Sequence, residues 1–232
     1  MNSFIATLCF VSLILASVAQ LNIKSPFSDV AKQIEQILQN NRQSFADGFK
    51  GLPTLDPLFI SGPMKLNADP FRATVSNIKV NKLSTFNETS LDILSNGLFI
   101  FTVKVPQISV EGYLTIPVGA SIYTGTLESL LSDVWIAING HVSVSNNQIT
   151  LSEVHVDITV NEVPMVKVIG FPGSNQWTNN FINKFLRDNL NKVINNDSTI
   201  YESALSDVVT KYLTSALGKS YSELIYKINL LA

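Results

Sequence analysis

Cysteine is all but missing from this chain. Its 232 residues include one, Cys9, which sits in an uncharged, apolar amino-terminal stretch. A lone cysteine forms no internal disulfide, and thiol catalysis and cysteine metal sites have nothing to use beyond it. A domain without staples must hold together by core burial, and that takes size. Imidazole is scarce too, with only His141 and His155. His155 stands between Val154 and Val156 on the polar side of a strand-like alternation, and His141 also has non-core parity, so both read as surface residues. No Gly-x-Ser-x-Gly, His-Glu-x-x-His, phosphate-cradling glycine loop or dinucleotide fingerprint occurs. These absences point away from an enzyme, a metal centre and a cofactor.

Charge is sparse and balanced. Charged residues make up 15 % of the chain, against about 25 % in ordinary soluble domains. The 16 basic and 18 acidic residues leave a net charge of -2, which excludes the basic footprint of a nucleic-acid binder. Hydrophobic residues reach 46 %. A chain this apolar needs a large core or a greasy cavity.

Residues 1–19 read as a signal peptide, apolar and ending in Ser17-Val18-Ala19, with cleavage expected before Gln20. They are too short to span a bilayer comfortably, and no later window approaches a membrane span. The expectation is a secreted chain whose residues 20–232 form one domain. Two sequons fit that route, Asn87-Glu88-Thr89 and Asn196-Asp197-Ser198, making Asn87 and Asn196 candidate glycosylation sites.

Ser25-Pro26 is a helix start, and Phe27, Val30, Ile34, Ile37, Leu38 and Phe45 recur at helical spacing. This predicts an amphipathic helix over 28–46, stopped by Gly48 and Gly51. A proline-punctuated link through Pro53 and Pro57 follows, where Asp56 reads as a turn cap. More than a hundred residues of alternating sequence come next. Phe99, Phe101, Val103 and Val105 are odd, whereas Ile108, Val110, Leu114 and Ile116 are even. A period of two changes phase only through an inserted residue, so Pro106 should mark a bulge or kink. Even parity runs through Val134, Ile136, Ile138, Val142 and Val144, and again through Val154, Val156, Ile158 and Val160. Strands this long, with one apolar face and a kink, make a strongly curved antiparallel sheet.

The last third is helical. Trp177, Phe181, Ile182, Phe185, Leu186, Leu190, Val193 and Ile194 form one apolar stripe. A break near Asn195-Asn196-Asp197 precedes the capping box Thr199-Ile200-Tyr201-Glu202 and a second stripe through Leu205, Val208, Val209, Tyr212 and Leu213. Lys184, Arg187 and Lys192 read as the wet side of the first. Segregated strands and helices make this an α+β domain.

Several segments resemble, in order, the insect takeout and haemolymph juvenile hormone-binding family. They are Leu52-Pro53-Thr54-Leu55-Asp56-Pro57-Leu58, the run Asn77 to Phe86 ending in Leu83-Ser84-Thr85-Phe86, Val105-Pro106-Gln107-Ile108 with Glu111-Gly112-Tyr113, Pro117-Val118-Gly119, and Asn183 to Asn189. The two amino-terminal cysteines usual in that family are absent, as in the similar mite group 7 allergens, and Lys82 stands where glycine is common. The resemblance implies a curved sheet wrapped around a long carboxy-terminal helix, enclosing an elongated hydrophobic cavity. It also implies carriage of a small hydrophobic molecule such as a terpenoid or fatty acid. On inward parity and helix stripe, the expected wall is Phe99, Phe101, Ile116, Ile136, Ile138, Phe181 and Phe185, with Tyr201 and Tyr212 as hydroxyl anchors. A guest burying ~300 Å² of apolar surface gains roughly 7 kcal/mol before ordering costs, an affinity near micromolar. A membrane surface or a receptor would then be where the guest is delivered. The alternative is a surface-active or microbial-lipid-binding protein of the same fold, without a transport role.

Overall fold

The computed structural model describes residues 56–60, 62–68, 71–94, 97–118, 120–146, 148–171, 176–197, 199 and 201–217. The expected signal peptide and the helix over 28–46 lie outside the described residues. Among the described residues, seven strands form one antiparallel sheet: β1 (Leu58–Ile60), β2 (Met64–Ala68), β3 (Phe71–Asn81), β4 (Glu88–Ile93), β5 (Leu98–Val118), β6 (Ser121–Ser145) and β7 (Gln148–Ile169). Two helices follow, α1 (Gln176–Asn196) and α2 (Glu202–Leu217). The sheet order is β1-β3-β5-β6-β7, with β2 also on β3 and β4 also on β5.

Strands β5, β6 and β7 run 21, 25 and 22 residues, several times the usual five or six. Strands of that length stay in one sheet only if the sheet bends, and the bend has a visible cause. Burial on β5 changes phase between Val105 and Ile108, across Pro106. Of the bulge or kink expected at Pro106, the β5–β6 pairing shows no bulge, since it has no register shift there. Strand β6 changes phase opposite, between Val134 and Leu131, at Asp133 with φ +51°. The pairing therefore keeps step, with Val105 opposite Val134 and Gln107 opposite Ser132. Register slips instead between β6 and β7, next to Leu130 and Ser132. A crease thus crosses three strands. Both edges of the sheet reach the same helices: α1 contacts β7 and β2, and α2 contacts β7 and β1. The sheet is strongly curved around them.

Asp133 holds the crease. Its carboxylate accepts a hydrogen bond from the Asn161 amide on β7 and pairs with the Lys104 ammonium on β5 at 3.2 Å. The Asn161 amide first, and Lys104 second, hold the Asp133 carboxyl below the usual carboxylate range. A group whose folded pKa is depressed stabilises fully above its unfolded value, about 3.9, and loses that contribution as pH falls towards the folded value. An Asp133→Asn variant keeps a residue that tolerates the left-handed backbone but has nothing there to protonate. Its acid unfolding, followed by circular dichroism, should be less steep below about pH 4 than that of the parent. Identical acid limbs would remove Asp133 from the account.

Asp56 caps the turn after β3, as its position in the linker suggests. Its Oδ1 accepts Lys82 N–H at 2.7 Å, and its Oδ2 accepts the Ser84 N–H and hydroxyl at 2.9 and 2.5 Å. The turn sets Lys82 at φ +72°, a left-handed conformation costly for any side chain. Lys82→Gly should raise stability by about 0.5 kcal/mol, the relief of strain outweighing added unfolded-state entropy. A lowered thermal midpoint would contradict it.

The edge strand β7 is blunted by side chains. Val168 N–H donates to Asn183 Oδ1 at 2.8 Å. Asn195 exchanges two hydrogen bonds with Val160, accepting its N–H at 2.7 Å and donating to its carbonyl at 2.9 Å, as a neighbouring strand would. The Tyr201 hydroxyl does the same for Ile158, at 3.0 and 3.3 Å. An exposed row of unpaired edge groups invites aggregation; here the helices fill it. The core lies between the creased sheet and the helices, with Leu114, Val134 and Val160 wholly buried.

Candidate functional site

The inward faces do not close completely. An apolar pocket of about 270 Å³ remains between the sheet and the helices. Its sheet wall comes from alternate residues: Ile60 on β1, Leu66 on β2, Val75 and Val80 on β3, Phe101, Val103 and Val105 on β5, Ile136 and Ile138 on β6, and Val156 and Ile158 on β7. Leu190 and Ile194 of α1, Tyr201, and Leu205 and Val209 of α2 close the other side. Phe101, Val103, Ile136, Ile138 and Ile158 are only half buried, as side chains bordering open space should be.

Among the described residues, no charged side chain borders the pocket, and two hydroxyls do, those of Ser129 and Tyr201. Both are already committed. Ser129, 2 % exposed, donates to the Met165 carbonyl at 3.1 Å. Tyr201 is occupied by Ile158 on both its donor and its acceptor side, and burial pushes its phenol pKa up. From the described wall a guest therefore gains dispersion and desolvation, and among the described residues it meets no charged partner and no uncommitted hydroxyl. No group of three or more metal-ligating side chains is found among the described residues.

A family model described as haemolymph juvenile hormone binding protein matches residues 4–225. The chain belongs to this family. Among solved structures, the fold is similar to Takeout 1 of Epiphyas postvittana, at 14 % identity and a TM-score of 0.54, covering 85 % of this chain and 90 % of that one. A lipopolysaccharide binding protein also aligns, at 16 % identity and a TM-score of 0.39, over 80 % of this chain and 39 % of that one. No curated protein sequence matches. The family's description is that of a binding protein.

Of the residues expected on the wall, the structure brings Phe101, Ile136, Ile138 and Tyr201 to the pocket. Phe99, 5 % exposed, lies outside it, packed over Gly140 so closely that a Cβ there would stand 3.0 Å from the ring. Ile116, 4 % exposed, is core near the β5–β6 hairpin, beyond the pocket. Phe181 and Phe185 stack on each other, centroids 6.4 Å apart, and neither lines the pocket. At 100° per residue, Phe181 stands half a turn away from Leu190, so one helix face cannot present both inward. Phe181 is 57 % exposed accordingly. Tyr201 reaches the pocket with its hydroxyl engaged, so it is wall rather than anchor. Tyr212 belongs to α2, and its side chain is outside the described set.

The sequence reading missed Leu127, Ser129 and Leu131. The even parity of β6 flips at Asp133, and only the odd-numbered apolar residues beyond it could have signalled this. Asn87 precedes β4 and Asn196 ends α1, both exposed.

Proposed function

We propose that this chain is a secreted carrier that holds one small, uncharged hydrophobic molecule in an elongated cavity of which the described pocket is the core. The observation that carries the reading is the described pocket wall, whose residues are apolar apart from two hydroxyls, both spoken for. The family's description, binding of juvenile hormone in haemolymph, supports carriage and an extracellular setting. No helix among the described residues is long and apolar enough to cross a membrane. On this reading residues 1–19 are removed, residues 20–232 form one domain, Asn87 and Asn196 are open to glycosylation, and the protein catalyses nothing.

The wall also says which guests fit. An ionised carboxylate drawn against the described residues would meet no cation, so it would stay at the mouth or enter protonated. Methyl palmitate should therefore bind roughly tenfold or more tightly than palmitate at about pH 8, with the gap closing as acidification protonates the free acid. Native mass spectrometry after incubation with each lipid reads both. A protein that retains no lipid from either incubation would refute the carrier, and a preference for palmitate at high pH would refute the neutral guest.

A further inference from the structure

We propose that the end of the molecule built by the β5–β6 hairpin and the start of α1 docks on the surface of a phospholipid bilayer. This goes beyond the carrier reading and does not depend on what the pocket holds.

Two separate stretches of sequence meet at this end, and neither carries a charge: Gly112 to Leu127, and Val168 to Asn183. At the chain's average of 15 % charged residues, their combined length would hold about five. The fold brings them together. Tyr113, Thr126 and Ile169 pair side by side across three strands, with Thr115 opposite Thr124 and Pro117 opposite Ile122 towards the hairpin turn. Phe171 crosses edge-on to Tyr123, ring centres 6.3 Å apart. The bond from Val168 to Asn183 at 2.8 Å fixes the first turns of α1 alongside. Apolar side chains face water here: Ile122 is 73 % exposed, Phe181 57 %, Tyr113 51 % and Ile169 42 %. One such residue alone means little; a cluster at one end is a contact surface.

Charge resumes abruptly one outward row below, where Glu111, Glu128 and Lys167 lie across the same three strands, Lys167 and Glu128 3.9 Å apart. A hairpin tip with no charge of its own, flanked by Arg72 two residues along β3 from the Thr74–Thr115 pair, then a tyrosine at its lower margin and a charged belt follow the order of polarity met on leaving a bilayer interior. The tip is a protruding hairpin, so a rigid flat partner would touch little of it, whereas a fluid interface closes round it. Neutral lipid headgroups match its lack of charge.

The test is flotation with phosphatidylcholine vesicles, comparing the full chain with Ile122→Asp and Phe181→Asp. Both positions are exposed, so the variants should fold, as checked by circular dichroism and thermal midpoint. The parent should float with the vesicles. Each variant should bind about tenfold more weakly, the cost of withholding one apolar side chain from lipid. Thr150→Asp, on the far β6–β7 hairpin, should bind as the parent does. Raised salt should leave binding unchanged; a steep loss would assign it to Lys65 and Arg72 on the neighbouring hairpin and overturn the proposal. A parent that stays off vesicles overturns it too, and so does a dimer, seen by sedimentation, that Ile122→Asp dissociates. Methyl palmitate uptake by Ile122→Asp should match the parent. If neither takes up lipid while the parent still floats, the carrier reading falls and docking stands.

Discussion

In an Ile136→Trp variant, uptake of methyl palmitate is expected to fall about seventyfold while the protein stays folded. Ile136 pairs with Val103 on one side and Ile158 on the other, and all three border the pocket. A larger ring there has open space ahead of it instead of packed neighbours, so the overpacking strain of a solid core is avoided. It would deny a guest about 100 Å² of apolar contact, worth roughly 2.5 kcal/mol of binding. The thermal midpoint of the lipid-free protein should hold or rise, because the indole buries surface that the empty pocket leaves unfilled. The signature is this opposition: affinity lost, stability kept. If Ile136→Trp unfolds the protein, the interior is packed where the geometry leaves room. If it binds as the parent does, the guest sits elsewhere.

The same three positions show what could be read from sequence. Ile136 and Ile158 were recognisable as inward because alternation runs unbroken from Val134 to Ile138 and from Val154 to Val160. Alternation is a local property, and it survives into the fold because one face of each strand is buried. The phase change at Pro106 was equally legible. Its counterpart on β6 was not, because Asp133 looks like any surface carboxylate until Asn161 and Lys104 are brought to it from other strands. Leu127, Ser129 and Leu131 were lost with it. The helices failed differently. A stripe from Trp177 to Ile194 is wider than any one contact can cover, and the sequence does not say which edge of it the sheet will take. Asn183, Asn195 and Tyr201 choose: their bonds to Val168, Val160 and Ile158 fix the rotation of α1 and the start of α2 against β7. Leu190 and Ile194 then face the pocket, and Phe181 turns out. Side chains that satisfy a strand edge carry no periodicity, so pattern reading passes over them.

Gly125→Ala should cost about 2 kcal/mol of stability, a large penalty for one methyl group. A Cβ on Gly125 would meet the carbonyl oxygen of Ile169 at 2.7 Å and the ring of Phe171 at 3.3 Å. The ring could yield a few tenths of an ångström. The carbonyl belongs to β7, whose Ile169 is paired with Thr126 next door, and it cannot yield without opening the ladder. Phe171→Ala, which empties a site now 5 % exposed, should cost about 3 to 4 kcal/mol. If the backbone is the true obstacle, removing the ring gives the alanine little relief. The costs should then add to within about 0.5 kcal/mol in the double variant, measured by urea unfolding. Strong sub-additivity would instead make Phe171 the reason for the glycine. Neither residue lines the pocket, so methyl palmitate uptake below the unfolding transition should survive both changes. A loss of uptake in either would mean that the hairpin end and the pocket are coupled, through Leu127, which lines the pocket two residues along β6 from Gly125.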